Sequence, residues 1–278
     1  MSARKSSAAK AARRDELRRE ALRKQQAAEV AEQRRRHRLI GIGMAVAAIV
    51  LATVLATVWL TLDKPADLTA ATTPPHANAD NSGIVVNPGT SKVGAPVVAL
   101  YVDYQCPNCK ELESNIGANL LSLADKGDIT LEYRTMTFMD TNLRNSASTR
   151  AAVGAACADW AGVYAKYHDA VFARQAAEEV HGSEGYSDAL LRDEIPEQLG
   201  VGGAKLTSYQ QCYDQRTSEA FVQKTDDAAG AAGVTGTPTV HVNGKSLEWL
   251  DQSTNAFLPW ASGGQSDATV LAAITAAG

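Results

Sequence analysis

Hydrophobic positions along the chain change their rhythm twice. From Leu39 to Leu62 (LIGIGMAVAAIVLATVLATVWLTL) no charged residue interrupts an apolar run, and about 20 such residues suffice to cross a hydrocarbon core as a helix. This pattern predicts a single transmembrane helix. Past Asp63 the period disappears into Pro, Ala, Thr, Asp and Asn (DKPADLTAATTPPHANADN). Residues 63–82 are therefore expected to be a flexible linker with a reach of roughly 25 Å, at about 5–6 Å × √n. Further on, Val97–Tyr104 (VVALYVDY) and Ile129–Met136 (ITLEYRTM) are β-branched and aromatic runs of strand length. Between them a helical stretch starts at Cys106-Pro107-Asn108-Cys109 and closes near Lys126-Gly127.

A strand, a helix and a strand in this order predict a βαβ unit with parallel strands and a right-handed crossover. The next segment, about 141–233, turns Ala-rich and helical, with breaks near His181-Gly182, Gly185 and Gly200–Gly203. Four or five helices fit there. Strand character returns at Thr239–Val242, Asn243-Gly244 is a tight hairpin turn, Lys245–Leu250 follows, and Ser266–Ala276 reads as a closing helix. No internal repeat is visible. The folded part, residues 83–278, is expected to be an α/β domain in the order βαβ, helical block, ββα.

Charge sharpens the membrane reading. Residues 1–38 hold 13 of the chain's 27 Lys/Arg but 5 of its 31 Asp/Glu, a local charge of +8, which leaves −12 on the remainder. Arg34–Arg36 and Arg38 abut one end of the apolar run and Trp59 sits near the other. The bias of Lys/Arg toward the cytoplasmic flank orients the helix with its N-terminus inside and residues 63–278 outside. A cleaved signal peptide is the alternative, but the 38-residue basic lead exceeds its usual dimensions. Nucleic-acid binding by the basic tail is disfavoured: the tail lacks aromatic residues, and topology control beside anionic lipids accounts for its charge.

Four cysteines in an exported domain point to oxidised pairs. Cys157 and Cys212 are isolated singles inside helical segments and are expected to form a structural disulfide, with two buried free thiols as the alternative. Cys106 and Cys109 lie where a strand runs into a helix. At a helix N-terminus unpaired N–H groups and the macrodipole favour a thiolate. Pro107 suits the first turn, where its missing N–H costs nothing. Cys109 then follows one turn later, within reach of a mixed disulfide on Cys106. Half of a zinc site is the competing reading of the CxxC, but the other cysteines are isolated and the histidines scattered, so no metal or cofactor is expected.

The motif Val102-Asp103-Tyr104-Gln105-Cys106-Pro107-Asn108-Cys109, the downstream Gly233-Val234-Thr235-Gly236-Thr237-Pro238-Thr239, and the segment Tyr167-His168-Asp169-Ala170-Val171-Phe172 together resemble the DsbA-like thioredoxin-fold proteins. The resemblance covers about residues 83–277. It implies a thioredoxin fold with the helical block inserted between its halves. Cys106 would be the exposed nucleophile, Cys109 the resolving thiol, and Thr237–Pro238 a cis peptide facing them. Pro107-Asn108 would tune the thiolate. The chain departs from many thioredoxin-fold proteins at Leu100, where a buried acid is common six residues before the first cysteine. Asp103 is closer, but a solvated or loop-capping role suits it better than proton transfer. His168 reads as helix packing, and His241 has no expected catalytic role.

These features predict a membrane-anchored, extracytoplasmic and monomeric thiol–disulfide oxidoreductase that introduces disulfides into unfolded exported proteins. The resemblance implies reoxidation by a DsbB- or VKOR-type membrane partner. Alternatives are a disulfide isomerase or reductase, and a redox-inert module that binds extended peptides. Substrates, redox potential and the direction of electron flow are not legible in the sequence.

Overall fold

β2 (Val97–Val102) forms the centre of the sheet because five of its six residues are buried and both of its edges are paired. In this computed structural model the described residues are Met44, Ile49–Thr53 and 73–278. β3 (Thr130–Thr135) runs parallel to β2, from Val97 opposite Thr130 to Val102 opposite Thr135. On the other edge β4 (Thr239–Val242) runs antiparallel, with Leu100 opposite Val240. The short β1 (Ile84–Val85) and β5 (Lys245–Ser246) complete the order β1-β3-β2-β4-β5. This is the thioredoxin-type α/β arrangement expected from the βαβ and ββα halves.

Alternation along β2 sends its side chains to two cores. Val98, Leu100 and Val102 join the large apolar cluster, whereas Ala99 and Tyr101 pack with Met136, Ala229 and Val234. A strand buried on both faces reads as a continuous hydrophobic run, which is why VVALYV is so conspicuous.

The helix after β2 consists of α1 (Pro107–Leu112), a π-helical turn (Glu113–Gly117) and α2 (Ala118–Asp125). Gly117 has a local reason: a Cβ there would stand 2.5 Å from Glu113 Oε2. After β3 come α3 (Met139–Leu143), α4 (Ala147–Trp160), α5 (Tyr164–Ala173), a second π turn (Leu190–Glu194), α6 (Ile195–Gln198), α7 (Gly203–Asp214) and α8 (Glu219–Ala231). A 3₁₀ turn at Pro259–Ala261 and α9 (Asp267–Ala277) close the chain. α4 is buried from Ala147 to Asp159 apart from Thr149 and Arg150. Its alanines and Gly154 let neighbouring helices approach closely, and Cys157 bonds to Cys212 on α7 at 2.02 Å.

Three boundaries differ from the sequence reading. The linker expected over 63–82 is pinned to the domain at its far end: His76 N–H donates to Asp159 Oδ2 at 2.9 Å, and Asn78 Nδ2 to Glu132 Oε2 at 2.9 Å. Polar partners, invisible to a hydrophobic pattern, hold that segment. The helical block starts at Met139 rather than 141, because α3 forms directly after the turn that follows β3. The strand expected over Lys245–Leu250 stops at Ser246. Beyond it Leu247 N–H makes a last bond to the Val240 carbonyl, Trp249 Nε1 donates to the Pro238 carbonyl and Trp260 Nε1 to the Glu248 carbonyl, the two indole bonds both at 2.9 Å.

Residues 1–64 and 65–278 separate into two units. Within the first, Met44 and Ile49–Thr53 are helical and exposed. The expected span 39–62 otherwise lies outside the described residues, as do the basic tail 1–38 and the linker as far as residue 72. Among the described residues no helix is long and apolar enough to cross a membrane.

Candidate active site

The reactive turn is built where β2 hands the chain to α1. β2 ends at Val102 because Asp103 bends the backbone: Gln105 N–H donates to Asp103 Oδ1 at 2.9 Å, and Cys106 N–H to the Asp103 carbonyl at 3.0 Å. Cys106 is then the N-cap of α1, extended at φ −77° and ψ 119°, with Pro107 in the first helical turn. No polar side chain caps this helix, so its first N–H groups remain available to a charge on the Cys106 sulfur.

Cys106 and Cys109 are both present as free thiols. The Cys106 thiol is pulled down to about 6, chiefly by hydrogen bonding from Cys109; burial opposes this, while Thr237 and the Cys109 and Asn108 amides reinforce it. Cys109 is driven the other way, well above an ordinary thiol, first by its complete burial and then by its neighbour Cys106. One sulfur is thus an anion at neutral pH and the other its proton-bearing donor. Lys110, a positive neighbour in the sequence, is occupied elsewhere: its Nζ donates to the Gln175 carbonyl at 3.0 Å.

Thr237 and Pro238 close the site from the second half of the fold. Their peptide bond is cis, and Cys106 Sγ lies 3.3 Å from the Thr237 carbonyl oxygen, to which the neutral thiol donates. The Thr237 hydroxyl is buried without a partner of its own, a donor held ready for a thiolate. This cover corrects one expectation: Cys106 was to be the exposed nucleophile, yet only 6% of it is accessible. The depression beside Pro107, bordered by Gln105, Gln175 and Tyr186, is about 30 Å³ and holds little more than a water.

Other sequence candidates fall into structural places. Leu100 is buried in the sheet with no acid in its position. Asp103 is a loop-capping residue, but at 0% exposure it is not solvated. His168 lies in an aromatic cluster, its Nδ1 3.0 Å from Tyr104 Oη, its Nε2 3.3 Å from Glu113 Oε1, and its ring 3.9 Å from that of Tyr133. His241 meets Tyr101 edge-on, away from the cysteines' motif on a partly exposed strand face.

Two braces went unread in the sequence. Gln175 Nε2 donates to the carbonyls of Tyr104 at 2.9 Å and Cys106 at 3.0 Å, and Tyr186 Oη donates to the Tyr104 carbonyl at 2.5 Å. A lone glutamine after a helix carries no signal of such a role; only the fold brings it 69 residues back to Cys106.

The thioredoxin family model matches residues 89–256, more than half of the chain and all of this site. The chain belongs to the thioredoxin family. The proteins it is similar to include a disulfide bond formation protein and thiol–disulfide oxidoreductases. Over 163 residues it is 26% identical to disulfide bond formation protein D of Bacillus subtilis, covering 58% of this chain and 69% of that protein. Oxidised DsbA of Mycobacterium tuberculosis shares the fold at a TM-score of 0.52 with 24% identity, over 70% of this chain and all of that one. MdbA of Actinomyces oris, a thiol-disulfide oxidoreductase, superposes at 0.56 with 16% identity, over 75% of this chain and 94% of that one.

Proposed function

We propose that this thioredoxin-family enzyme is a dithiol oxidase that works through Cys106 and Cys109 outside the cytoplasm. The observation that carries the reading is the placement of two free thiols, Cys106 at the N-cap of α1 against the cis Thr237–Pro238 bond and Cys109 buried one turn on, which holds Cys106 down to about 6 and pushes Cys109 well up. In the oxidised enzyme a substrate thiolate attacks Cys106 Sγ, the Cys106–Cys109 bond breaks, and Cys109 departs and takes up a proton. A second substrate thiolate then attacks the substrate sulfur of the mixed disulfide. Cys106 leaves as a stable thiolate, and two electrons have passed from substrate to enzyme. A low leaving-group pKa speeds that second step and stabilises the reduced enzyme, which makes the disulfide form the stronger oxidant.

The substrates would be unfolded exported proteins presenting an extended backbone to the Thr237 loop. A membrane reoxidant of the DsbB or VKOR type would restore the disulfide. Residues 39–62 would anchor the chain, with the basic tail 1–38 in the cytoplasm and the domain outside; the uncharged run and the +8 flank support that orientation. Two experiments test the reading. Oxidised protein mixed with a reduced unfolded substrate should form one substrate disulfide per enzyme disulfide consumed, and no transfer would contradict the oxidase. Protease added to intact spheroplasts should release the domain by cutting in residues 63–75, and protection until lysis would contradict the orientation.

A further inference from the structure

Asp103 is the most tightly held carboxylate near the reacting sulfurs, and it does not itself take part in disulfide exchange. Its Oδ1 accepts from Gln105 N–H at 2.9 Å and from Ser148 Oγ at 2.5 Å, and its Oδ2 accepts from Met139 N–H at 3.0 Å. The three donors come from three pieces of the fold: the reactive turn, the start of α3 and the start of α4. The peptide groups of Asp103 face the cysteines. Its carbonyl accepts from Cys106 N–H at 3.0 Å, and the Cys106 carbonyl in turn accepts from Cys109 N–H at 3.2 Å.

A second layer fixes the same joint. Gln105 Nε2 donates toward Asp140 Oδ1 at 3.0 Å, Asn145 Oδ1 at 2.9 Å and Ser148 Oγ at 2.9 Å. Asp140 in turn caps α4, accepting from Ser148 N–H at 2.8 Å and Thr149 N–H at 2.9 Å. α4 is the helix that Cys157 bonds to α7. A carboxylate buried at 0% exposure thus joins the start of α4 to the turn that carries the nucleophile.

We propose that Asp103 is a positioning residue for disulfide exchange: its side chain clamps the reactive turn to α4, so that its own carbonyl holds Cys106, and with it the helical turn that carries Cys109, in register. This rests on Cys106 and Cys109 being the exchange pair. Burial raises the Asp103 carboxyl to about 7 against the pull of Ser148, Gln105 and Met139, with Asp140 on α3 adding to the rise.

The test compares Asp103→Ala, Asp103→Asn and Ser148→Ala in the full chain, oxidised for disulfide transfer to a fluorescent dithiol peptide and reduced for thiolate absorbance against pH. Loss of all three acceptor contacts should slow exchange about ten-fold or more, the scale of one or more buried hydrogen bonds. It should also raise the Cys106 thiolate midpoint, because the Cys109 donor is no longer held. Asp103→Asn should recover part of both, and Ser148→Ala should move both in the same direction by less. Should Asp103→Ala fail to fold, Asn and Ser148→Ala decide the matter. Folded variants with a normal midpoint and rate, differing only in melting temperature, would overturn the proposal. A wild-type chain that transfers no disulfide would sink the oxidase reading instead, while the midpoint shift still decides for or against the clamp.

Discussion

Reducing the Cys106–Cys109 pair should make stability depend on pH in a way the oxidised chain does not share. The Cys106 thiol moves from an ordinary 9.0 to about 6 in the folded protein, and Cys106 is only 6% exposed. Because the folded value is the lower one, the thiolate stabilises the reduced fold fully above pH 9, and the effect is lost as pH falls through 6. At 1.36 kcal/mol per tenfold change in ionisation, the contribution is about 3 kcal/mol at pH 8, about 1 at pH 7 and close to none at pH 5. Cys109 stays protonated throughout this range. The assay is thermal unfolding of both forms from pH 5 to 8, with mild reductant so that the buried Cys157–Cys212 bond survives, checked by alkylation and mass. The melting temperature of the reduced form, relative to the oxidised, should rise by roughly 6–12 °C between pH 5 and pH 8, at 2–4 °C per kcal/mol. A difference that stays flat over this range would refute the low Cys106 value and the hydrogen bonding that explains it.

Other expected outcomes follow from packing. Gly154→Ala should destabilise the domain by about 1–3 kcal/mol in urea unfolding, since its Cβ would come within 2.3 Å of Tyr167 Oη, whose hydroxyl already donates to the Leu191 carbonyl. Replacing Cys157 and Cys212 by alanine should cost about 2–5 kcal/mol, read as a lower denaturant midpoint, because the bond closes a 55-residue separation across the helical block. Non-reducing peptide mapping should find that pair joined in freshly isolated protein. Gln175→Ala should remove the donor to two carbonyls of the reactive turn and cost about 1–3 kcal/mol, with faster alkylation of Cys106 as its local signature.

Much of the architecture was legible because the central strand β2 is buried on both faces and is therefore an unbroken apolar run. VVALYV and TLEYRT needed no alignment to be read as neighbours, and the helix between them made them parallel. The cysteine pairs separated by spacing alone: one at a strand–helix junction, one as singles on helices. What stayed hidden was polar and long-range. The turn at Asp103 could be read as a cap, but the Ser148 and Met139 donors that bury it lie 45 and 36 residues away. The pinned end of the linker depends on Asp159, 83 residues downstream of His76. The burial of Cys106 under the Thr237 carbonyl depends on a contact across 131 residues. Periodicity reports which face is dry, not which distant group completes a hydrogen bond.

The most direct test of the central claim is the Cys109→Ser chain exposed to reduced, unfolded substrate proteins under mild oxidant and resolved on non-reducing gels. The account predicts long-lived mixed disulfides joined through Cys106 alone, since the escaping thiol is gone, and none when Cys106 is also replaced. Absence of trapped complexes in Cys109→Ser, or trapping that persists without Cys106, would contradict exchange through this pair.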